Sequence, residues 1–386
     1  MVVEQRELGR MVGARPGPTV ITVAGIHGNE HAGVVAARRV FATLAEAGIA
    51  LRGELVAFAG NLASLQQGVR YRSKDLNRIW TEPRMSHLRA RHGRRESDPR
   101  FPADELDAED REQLELAAAI ESALSRSRGP VHLIDLHTTS AAGIPFVLFG
   151  DTLPQRQFVG IFPIPVIFGL EEAVDGVLSA YWSHRGCVTF AVEGGQHDDP
   201  ATADSLEAVL WLTLAQAGSL DTAGPAAAHV QRAAAVLEGR RAGIPRVLEV
   251  VSRHAITIDD EFRMEPGFRN IDRAFKGQLL ARDRSGEIRA ETDGLVIMPL
   301  YQGLGGDGYF WGREVSPLRL KAAAVLQRLG LSRLLGLLPG VTRDAENPAR
   351  FLVDTSVARV FALEVFQLLG YRRVRKHGKE LTVERD

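Results

Sequence analysis

The chain has 386 residues, which is enough for two domains rather than one. Hydrophobic residues make up 45% and charged residues 25%, as is ordinary for a soluble globular protein, and the net charge of -1 predicts neither a nucleic-acid nor a membrane partner. Cys187 is the only cysteine, which excludes an intrachain disulfide and a cysteine-based zinc site and favours a reducing cytoplasm.

Strands and helices alternate in the first part of the chain. The amino terminus carries charges where a secretory signal would need an apolar stretch, and the most apolar run, 161–170, is too short to cross a bilayer. The predicted strands are 19–24, 54–60, 131–137 and 187–193, and the predicted helices are 30–47, 108–126 and 203–217. This alternation predicts an α/β domain over residues 1–219, with a mixed, mostly parallel sheet flanked by helices.

Residues 84–112 interrupt that pattern. They are highly charged, contain two prolines and lack apolar periodicity. The sequence therefore predicts a long loop here, either a solvated surface insertion or a lid over a site.

The composition changes after residue 219. The predicted segments are a helix and linker at 220–245, a smaller all-β domain at 246–317 and a helical extension at 318–386, with helices at 318–337 and 355–370 and a final hairpin that turns near His377.

The stretch GIHGNEHAG, residues 25–33, permits two metal-site interpretations. In the first, His27, Glu30 and His31 form an H-x-x-E-H motif on one helix. In the second, only His27 and Glu30 bind metal and a third ligand lies elsewhere. The glycines on either side of His27 favour a turn, which leaves His31 pointing away.

A distant third ligand is present in DLHTTS, residues 135–140. His137 stands at the carboxyl end of a predicted strand, as His27 does, and open α/β sheets bind ligands at that edge. Two histidines and one carboxylate leave the fourth position of a zinc ion open for water. Asp135 is placed to orient a ligand. Taken alone, a strand-end histidine is more often a hydrogen-bonded structural residue.

Two further clusters carry candidate catalytic groups. Glu193 ends the predicted strand CVTFAVE, where a carboxylate can act as a general base, although a lone glutamate there is more often a cap. Arg70, Asn77 and Arg78 lie within VRYRSKDLNRIW, and an adjacent asparagine and arginine can grip a carboxylate.

Together these residues resemble a known family. The motifs HGNE, DLNR, DLHTT and VEGG occur in this order in the succinylglutamate desuccinylase/aspartoacylase family, relatives of the zinc carboxypeptidases. Arg70 lies seven residues before the Asn-Arg pair, as the family's arginine does. The resemblance covers residues 6–215 and, more loosely, the β-domain at 246–312. It matches neither 84–112 nor 318–386.

The resemblance implies a fold and a metal site. The expected fold is the zinc-carboxypeptidase-like α/β sheet with a smaller β-domain after it. The implied metal is one Zn²⁺ per chain, with His27, Glu30 and His137 as its ligands.

The resemblance also implies catalytic roles. Arg70 would polarise the scissile carbonyl, and Asn77 with Arg78 would hold the carboxylate of the amino acid. Glu193 would take a proton from water and deliver it to the leaving amine.

The expected function is therefore zinc-dependent hydrolysis of the amide bond of a small N-acyl amino acid or close analogue. The alternatives are a metallocarboxypeptidase that releases a C-terminal residue and a catalytically silent binding scaffold. Arg185 and Tyr309 are weaker candidates for reading the acyl or side-chain end. The sequence leaves homo-oligomer formation open.

Overall fold

An eleven-stranded sheet organises most of the chain. The computed structural model describes residues 3–97, 106–241, 243–316, 335–344, 350–354, 373–377 and 380–384. Contacts group the chain into two compact units, one formed by residues 1–150 and 154–313 and the other by residues 151–153 and 314–386.

The strands of the first unit are β1 Glu7–Val12, β2 Arg15–Ala24, β3 Arg52–Ala59, β4 Val131–Thr139, β5 Phe146–Phe149, β6 Val166–Phe168, β7 Val188–Gln196, β8 Val247–Ala255, β9 Arg263–Met264, β10 Asp272–Ala274, β11 Leu279–Asp283, β12 Gly286–Arg289, β13 Gly294–Ile297 and β14 Asp307–Glu314. The sheet order is β1-β3-β2-β4-β7-β5-β6-β8-β14-β13-β10, and β9, β11 and β12 form a separate small sheet. The run β3-β2-β4-β7 is parallel, whereas β1, β5 and the β10-β13-β14 group introduce antiparallel pairs.

The helices are α1 Ala32–Glu46, α2 Leu62–Gln67, α3 Glu82–Ser97, α4 Ala108–Arg126, α5 Leu153–Val159, α6 Leu170–Ala173, α7 Leu178–Ser183, α8 Pro200–Ala217 and α9 Ala227–Gly239. Helices α4 and α7 pack on one face of β2 and β4, where Ile21, Val23 and Leu133 enter a shared apolar core. Helix α1 packs on the other face, with Gly33 against Leu136. Strands buried on both faces explain the continuous apolar runs in the sequence.

The predicted α/β class is confirmed, with a mixed, mostly parallel sheet and additional antiparallel strands towards the carboxyl end. The predicted strands and helices of residues 1–219 are all present, although α1 begins at Ala32 rather than near residue 30. The region 246–313 belongs to the same compact unit as the parallel strands. The predicted domain boundaries at 219, 245 and 317 stay predictions.

The predicted loop at 84–112 was wrong. Residues 82–97 form helix α3 and α4 begins at Ala108, while 98–105 lie outside the described residues. Among residues 82–93, the part of this helix whose side chains are described, Met85 and Leu88 are buried, and Arg84 beside them pairs with Asp110 of α4. The sequence did not predict this helix because Arg84 takes a place among its inward-facing residues, and the helical pattern is recognised from apolar residues alone.

The second unit is described only in part. A 3₁₀ turn at residues 335–337 precedes β15 Val341–Arg343, β16 Arg350–Asp354, β17 Arg373–His377 and β18 Glu380–Glu384. Strands β17 and β18 pair antiparallel, which confirms the predicted hairpin. The predicted helix at 355–370, and 318–334 of the other, lie outside the described residues. Among the described residues, no helix is long and apolar enough to span a membrane.

Candidate metal and catalytic site

One pocket lies at the carboxyl ends of β2, β4 and β7. His27 follows β2, and His137 of β4 stands directly opposite Glu193 of β7 in the strand register. The pocket is lined by the seven residues that the sequence analysis assigned as metal ligands, catalytic groups or carboxylate-binding groups: His27, Glu30, Arg70, Asn77, Arg78, His137 and Glu193. Its cavity has a volume of about 90 Å³.

The turn that carries His27 is set by glycines. Gly25 adopts a left-handed backbone with φ of 71°. A Cβ atom on Gly28 would lie 2.1 Å from a backbone atom of Ser64, so only glycine fits there. Helix α1 begins at Ala32 with His31 as its N-cap. His27 is therefore not on the helix, and the helical H-x-x-E-H interpretation was wrong.

His27, Glu30 and His137 form a buried cluster that can hold a metal ion. One potential ligand atom from each lies within 4.8 Å of the others. Nδ1 of His27 is 2.8 Å from Oε1 of Glu30, and Nδ1 of His137 is 3.2 Å from Oε2. Both imidazoles thus turn Nδ1 towards one carboxylate, so the three groups can converge on one ion.

A second carboxylate stands behind each histidine. Nε2 of His27 lies 3.0 Å from Oδ1 of Asp75, and Nε2 of His137 lies 2.8 Å from Oδ2 of Asp135. Such contacts fix the ring orientation and leave Nδ1 available as a ligand atom. The residues present therefore fit a divalent metal with imidazole and carboxylate ligands.

The electrostatics of the cluster also suit a cation. Burial raises the pKa of Glu30, but the two histidines outweigh burial and hold this pKa well below its usual range. Burial lowers the pKa of His137, but Asp135 and Glu30 outweigh it and hold this pKa well above its usual range. A metal ion would have to displace that proton on binding.

Glu193 is a buried carboxyl group beside this cluster. Its residue is 4% exposed, and burial is the main cause that raises its pKa to about 7. Within the described residues, Oε2 of Glu193 has no hydrogen-bond partner. A carboxylate with a free oxygen and a pKa near neutrality can accept and return a proton.

Arg70 and Asn77 are held around the same space. Asp75 caps the 3₁₀ turn Leu76–Arg78, and its Oδ2 accepts a 3.0 Å bond from Nη2 of Arg70. Asn77 accepts a 2.8 Å bond from the backbone N–H of Leu178 through Oδ1, which directs its Nδ2 towards His137 at 3.4 Å. Both side chains are thereby fixed before any ligand binds.

Arg78 is paired with an acidic residue from the β-domain. Its Nη2 donates a 2.5 Å hydrogen bond to Oδ2 of Asp307, and Nη1 donates a 2.8 Å bond to the backbone oxygen of Asn77. The other oxygen of Asp307 pairs with Nε of Arg253. Burial lowers the pKa of Arg78, but Asp75 and Asp307 outweigh it and raise this pKa, so the guanidinium stays charged.

The two weaker candidates lie outside the pocket. Arg185 stacks on the ring of Tyr181, with its Cζ 3.6 Å from the ring centroid, and pairs with Glu82. Tyr309 stacks on His254 in the β-domain. Neither lines the pocket, so neither reads the acyl or side-chain end there.

Comparison with known proteins decides the family. The family model described as "Succinylglutamate desuccinylase/Aspartoacylase catalytic domain" matches residues 16–215, just over half of the chain. The chain belongs to this family. A succinylglutamate desuccinylase from Burkholderia pseudomallei is 26% identical over 276 residues, covering 69% of this chain and 70% of the relative.

Solved structures support the fold of the family. The succinylglutamate desuccinylase/aspartoacylase from Rhodobacter sphaeroides has a TM-score of 0.54 at 15% identity, covering 80% of this chain and 88% of that chain. The ectoine utilization protein EutE (DoeB) from Ruegeria pomeroyi, in a product-bound structure, has a TM-score of 0.53 at 21% identity, covering 78% and 87%. The Burkholderia relative is named as a succinylglutamate desuccinylase, and membership of the family suggests N-acyl amino acid deacylation.

The sequence analysis did not identify two acidic residues that contact side chains of the pocket, Asp75 and Asp307. Asp75 belongs to the DLNR motif, and its position two residues before Asn77 could have indicated its role. Asp307 is 229 residues from Arg78 in the chain, and no local pattern links the two.

Proposed function

We propose that this protein is a cytoplasmic, zinc-dependent hydrolase that cleaves N-acyl amino acids into a carboxylic acid and a free amino acid. The family supports the reaction class, and the cluster of His27, Glu30 and His137 supports the metal. A single, buried Cys187 suits a reducing compartment.

The observation that carries the proposal is the place of Glu193. Its carboxyl group lines the same pocket as the three potential metal ligands and stands opposite His137 across neighbouring strands. Its Oε2 is without a hydrogen-bond partner among the described residues. A structural carboxyl group is normally hydrogen-bonded through both oxygens, whereas a general base needs a free oxygen.

The proposed reaction assigns a separate role to the metal, to Glu193 and to Arg70. A bound Zn²⁺ would supply an acidified water and polarise the amide carbonyl. Glu193 accepts the proton of the attacking water and transfers it to the amide nitrogen, which leaves as the amine. Arg70 donates hydrogen bonds to the carbonyl oxygen as that oxygen gains negative charge.

Recognition of the amino acid would fall to Asn77 and Arg78. The guanidinium of Arg78 is partly buried and charged, and Asn77, whose Nδ2 lies 3.4 Å from Nε2 of His137, lines the same pocket. Their donors suit the planar carboxylate of an amino acid. The β-domain narrows the space with Met298, Leu300 and Gln302, which favours a small substrate over a peptide chain and thus a deacylase over a carboxypeptidase.

The test is a substrate panel on purified protein. N-acetyl, N-formyl, N-butanoyl and N-succinyl amino acids and a set of dipeptides are incubated with the zinc-loaded protein, and the released amine is measured. We expect amine release from N-acyl amino acids, its loss on chelation and its return with zinc. Faster cleavage of dipeptides would favour the carboxypeptidase instead, and turnover of neither class would leave a binding scaffold.

A further inference from the structure

The charges around the pocket do not suit a substrate with several carboxylates. Among the lining residues the guanidinium groups are those of Arg70 and Arg78. Acidic side chains line the same space: the potential ligand Glu30, the general base Glu193, and also Glu171 and Asp307. N-succinylglutamate, by its chemistry, brings three carboxylates, and an N-acyl aspartate brings two.

Both arginines already face carboxylates of the protein. Arg70 pairs with Asp75, and Arg78 pairs with Asp307. Arg253 holds the second oxygen of Asp307, so this side chain is fixed at the pocket rather than free to turn away. These three arginines outnumber the two carboxylates by one positive charge, which is enough for one substrate carboxylate and not for a second.

The rest of the wall combines uncharged polar and apolar side chains. The polar ones are Asn77, Thr138, Thr139, Ser140, Ser179 and Gln302, and the apolar ones, from both parts of the chain, are Leu148, Leu170, Val177, Ala191, Met298 and Phe310. Four of the apolar residues belong to one apolar cluster of the core, and Leu170 and Met298 pack against it. These side chains stabilise an aliphatic group, and the rest of the wall gives a second carboxylate no cationic partner.

We infer that the substrate is an N-acyl amino acid with a single carboxylate and an uncharged, aliphatic remainder, and that Asp307 is the residue that excludes a second negative charge. The inference rests on the proposed function and narrows its substrate class. Asp307 acts by repulsion, because a like charge placed near it is disfavoured, and by occupying part of the donor capacity of Arg78.

Two substrate pairs test the inference, each differing chiefly in charge. N-acetyl-L-glutamine is compared with N-acetyl-L-glutamate, and N-butanoyl-L-alanine with N-succinyl-L-alanine. We expect kcat/KM of the native protein to favour the uncharged member of each pair by about 100-fold, since like-charge contacts are strongly disfavoured in a desolvated site. A preference for the charged member would overturn the inference.

The variant Asp307→Asn removes the charge and keeps the shape. It should reduce the preference for uncharged substrates by at least about 10-fold while N-acetyl-L-glutamine is still cleaved. Asp259→Asn, at an exposed position of the β-domain, is the matched control and should leave the preference unchanged. An undiminished preference in Asp307→Asn would remove Asp307 from substrate selection.

Two additional measurements distinguish a loss of folding from a loss of function. Asp307→Ser, which also lacks the charge, replaces the asparagine variant if thermal melting shows that the latter is unfolded. Hydrolysis of all four substrates at similar rates by the native protein would overturn the inference and leave the proposed function standing. If none of the N-acyl amino acids is hydrolysed, the proposed function fails, and the inference fails with it.

Discussion

Glu193 differs from an ordinary glutamate in each property that a general base requires. It is buried, its Oε2 has no hydrogen-bond partner among the described residues, and it faces the three potential metal ligands across one pocket. A structural carboxylate in a protein interior is normally paired or fully hydrogen-bonded.

We therefore predict that Glu193→Gln keeps its metal and loses turnover. Glutamine preserves the shape but cannot accept a proton, so kcat should fall by roughly 10²–10⁴-fold, the usual contribution of general acid–base catalysis. Metal content is measured beside steady-state rates, with the exposed Glu261→Gln as a control. Turnover near that of the native protein would remove Glu193 from the mechanism.

The pKa of Glu193 also predicts a pH dependence. Burial raises this pKa to about 7 in the metal-free protein, and a bound divalent cation would lower it. Because only the deprotonated carboxylate accepts a proton, kcat/KM should fall as the pH decreases, with a midpoint at or below about pH 7. A rate that stays constant from pH 8 to pH 5 would contradict a general base at this position.

A further prediction distinguishes His31, after the glycine-rich turn, from His137 in β4. His137→Ala should lose most bound zinc, because it removes one of the three potential ligands, whose Nδ1 faces Glu30. His31→Ala should keep its zinc, since His31 caps α1 and does not line the pocket. Metal analysis after dialysis decides between them, and zinc loss only in His31→Ala would refute the proposed ligand set.

A third prediction separates recognition from chemistry. Arg78→Lys keeps the charge but loses the planar fork, so it should mainly raise KM. Arg70→Ala removes donors that act on charge formed in the transition state, so it should mainly lower kcat. Steady-state kinetics on one N-acyl amino acid compares the two variants. A large rise in KM alone for Arg70→Ala would reverse these roles.

The candidate ligands and the base could be predicted because each has a local signal. His27, His137 and Glu193 lie at or just beyond the carboxyl ends of strongly apolar segments, and strand ends meet at one edge of a parallel sheet. Asp307 has no such signal, because its contact with Arg78 depends on how the β-domain strands join the sheet. Residues brought together only by tertiary structure cannot be found from spacing along the chain.

Among the secondary-structure elements, helix α3 also depends on a tertiary contact that the sequence pattern does not show. Its inward stripe combines Met85 and Leu88 with Arg84, whose charge is matched by Asp110 on α4. Strands β5 and β6, of four and three residues, were missed because so short a run shows no period. Elements with long apolar patterns, such as β2, β4 and α4, were found.

We predict that α3 is a structural part of the fold. Leu88 is 1% exposed, so Leu88→Ala should lower the free energy of unfolding by about 2–5 kcal/mol, the range for a buried leucine. Leu337→Ala, at a site that is 78% exposed, should change it by less than about 0.5 kcal/mol. Urea unfolding compares the two. An equally small effect at Leu88 would mean that α3 behaves in solution as the solvated loop once expected.

At the scale of the whole molecule, the β-domain is continuous with the catalytic sheet. Strand β8 pairs with β6, and β14, β13 and β10 continue the same sheet. One apolar cluster joins Phe146 and Ala191 to Leu295 and Phe310. The pocket therefore needs residues from both parts of the chain.

This continuity predicts different outcomes for two truncations. A chain ending at Ser316 keeps all eleven strands and should unfold in one cooperative transition. A chain ending at Ser219 loses β8 and the three strands beyond it, which exposes an edge of the sheet and half of an apolar cluster. It should aggregate or unfold without cooperativity in a thermal melt followed by circular dichroism. Cooperative unfolding of the shorter chain would show that residues 1–219 fold alone.

The facing positions of His137 and Glu193 have a practical consequence. Neighbouring strands lie about 4.8 Å apart, and backbone hydrogen bonds set that spacing. Groups on mobile loops can drift while a protein remains folded, but these two cannot separate unless β4 and β7 part. Turnover therefore reports whether β4 and β7 are still paired. In a partly denatured sample, the activity that remains would count surviving intact molecules, each working at full rate, rather than a population of weakened ones.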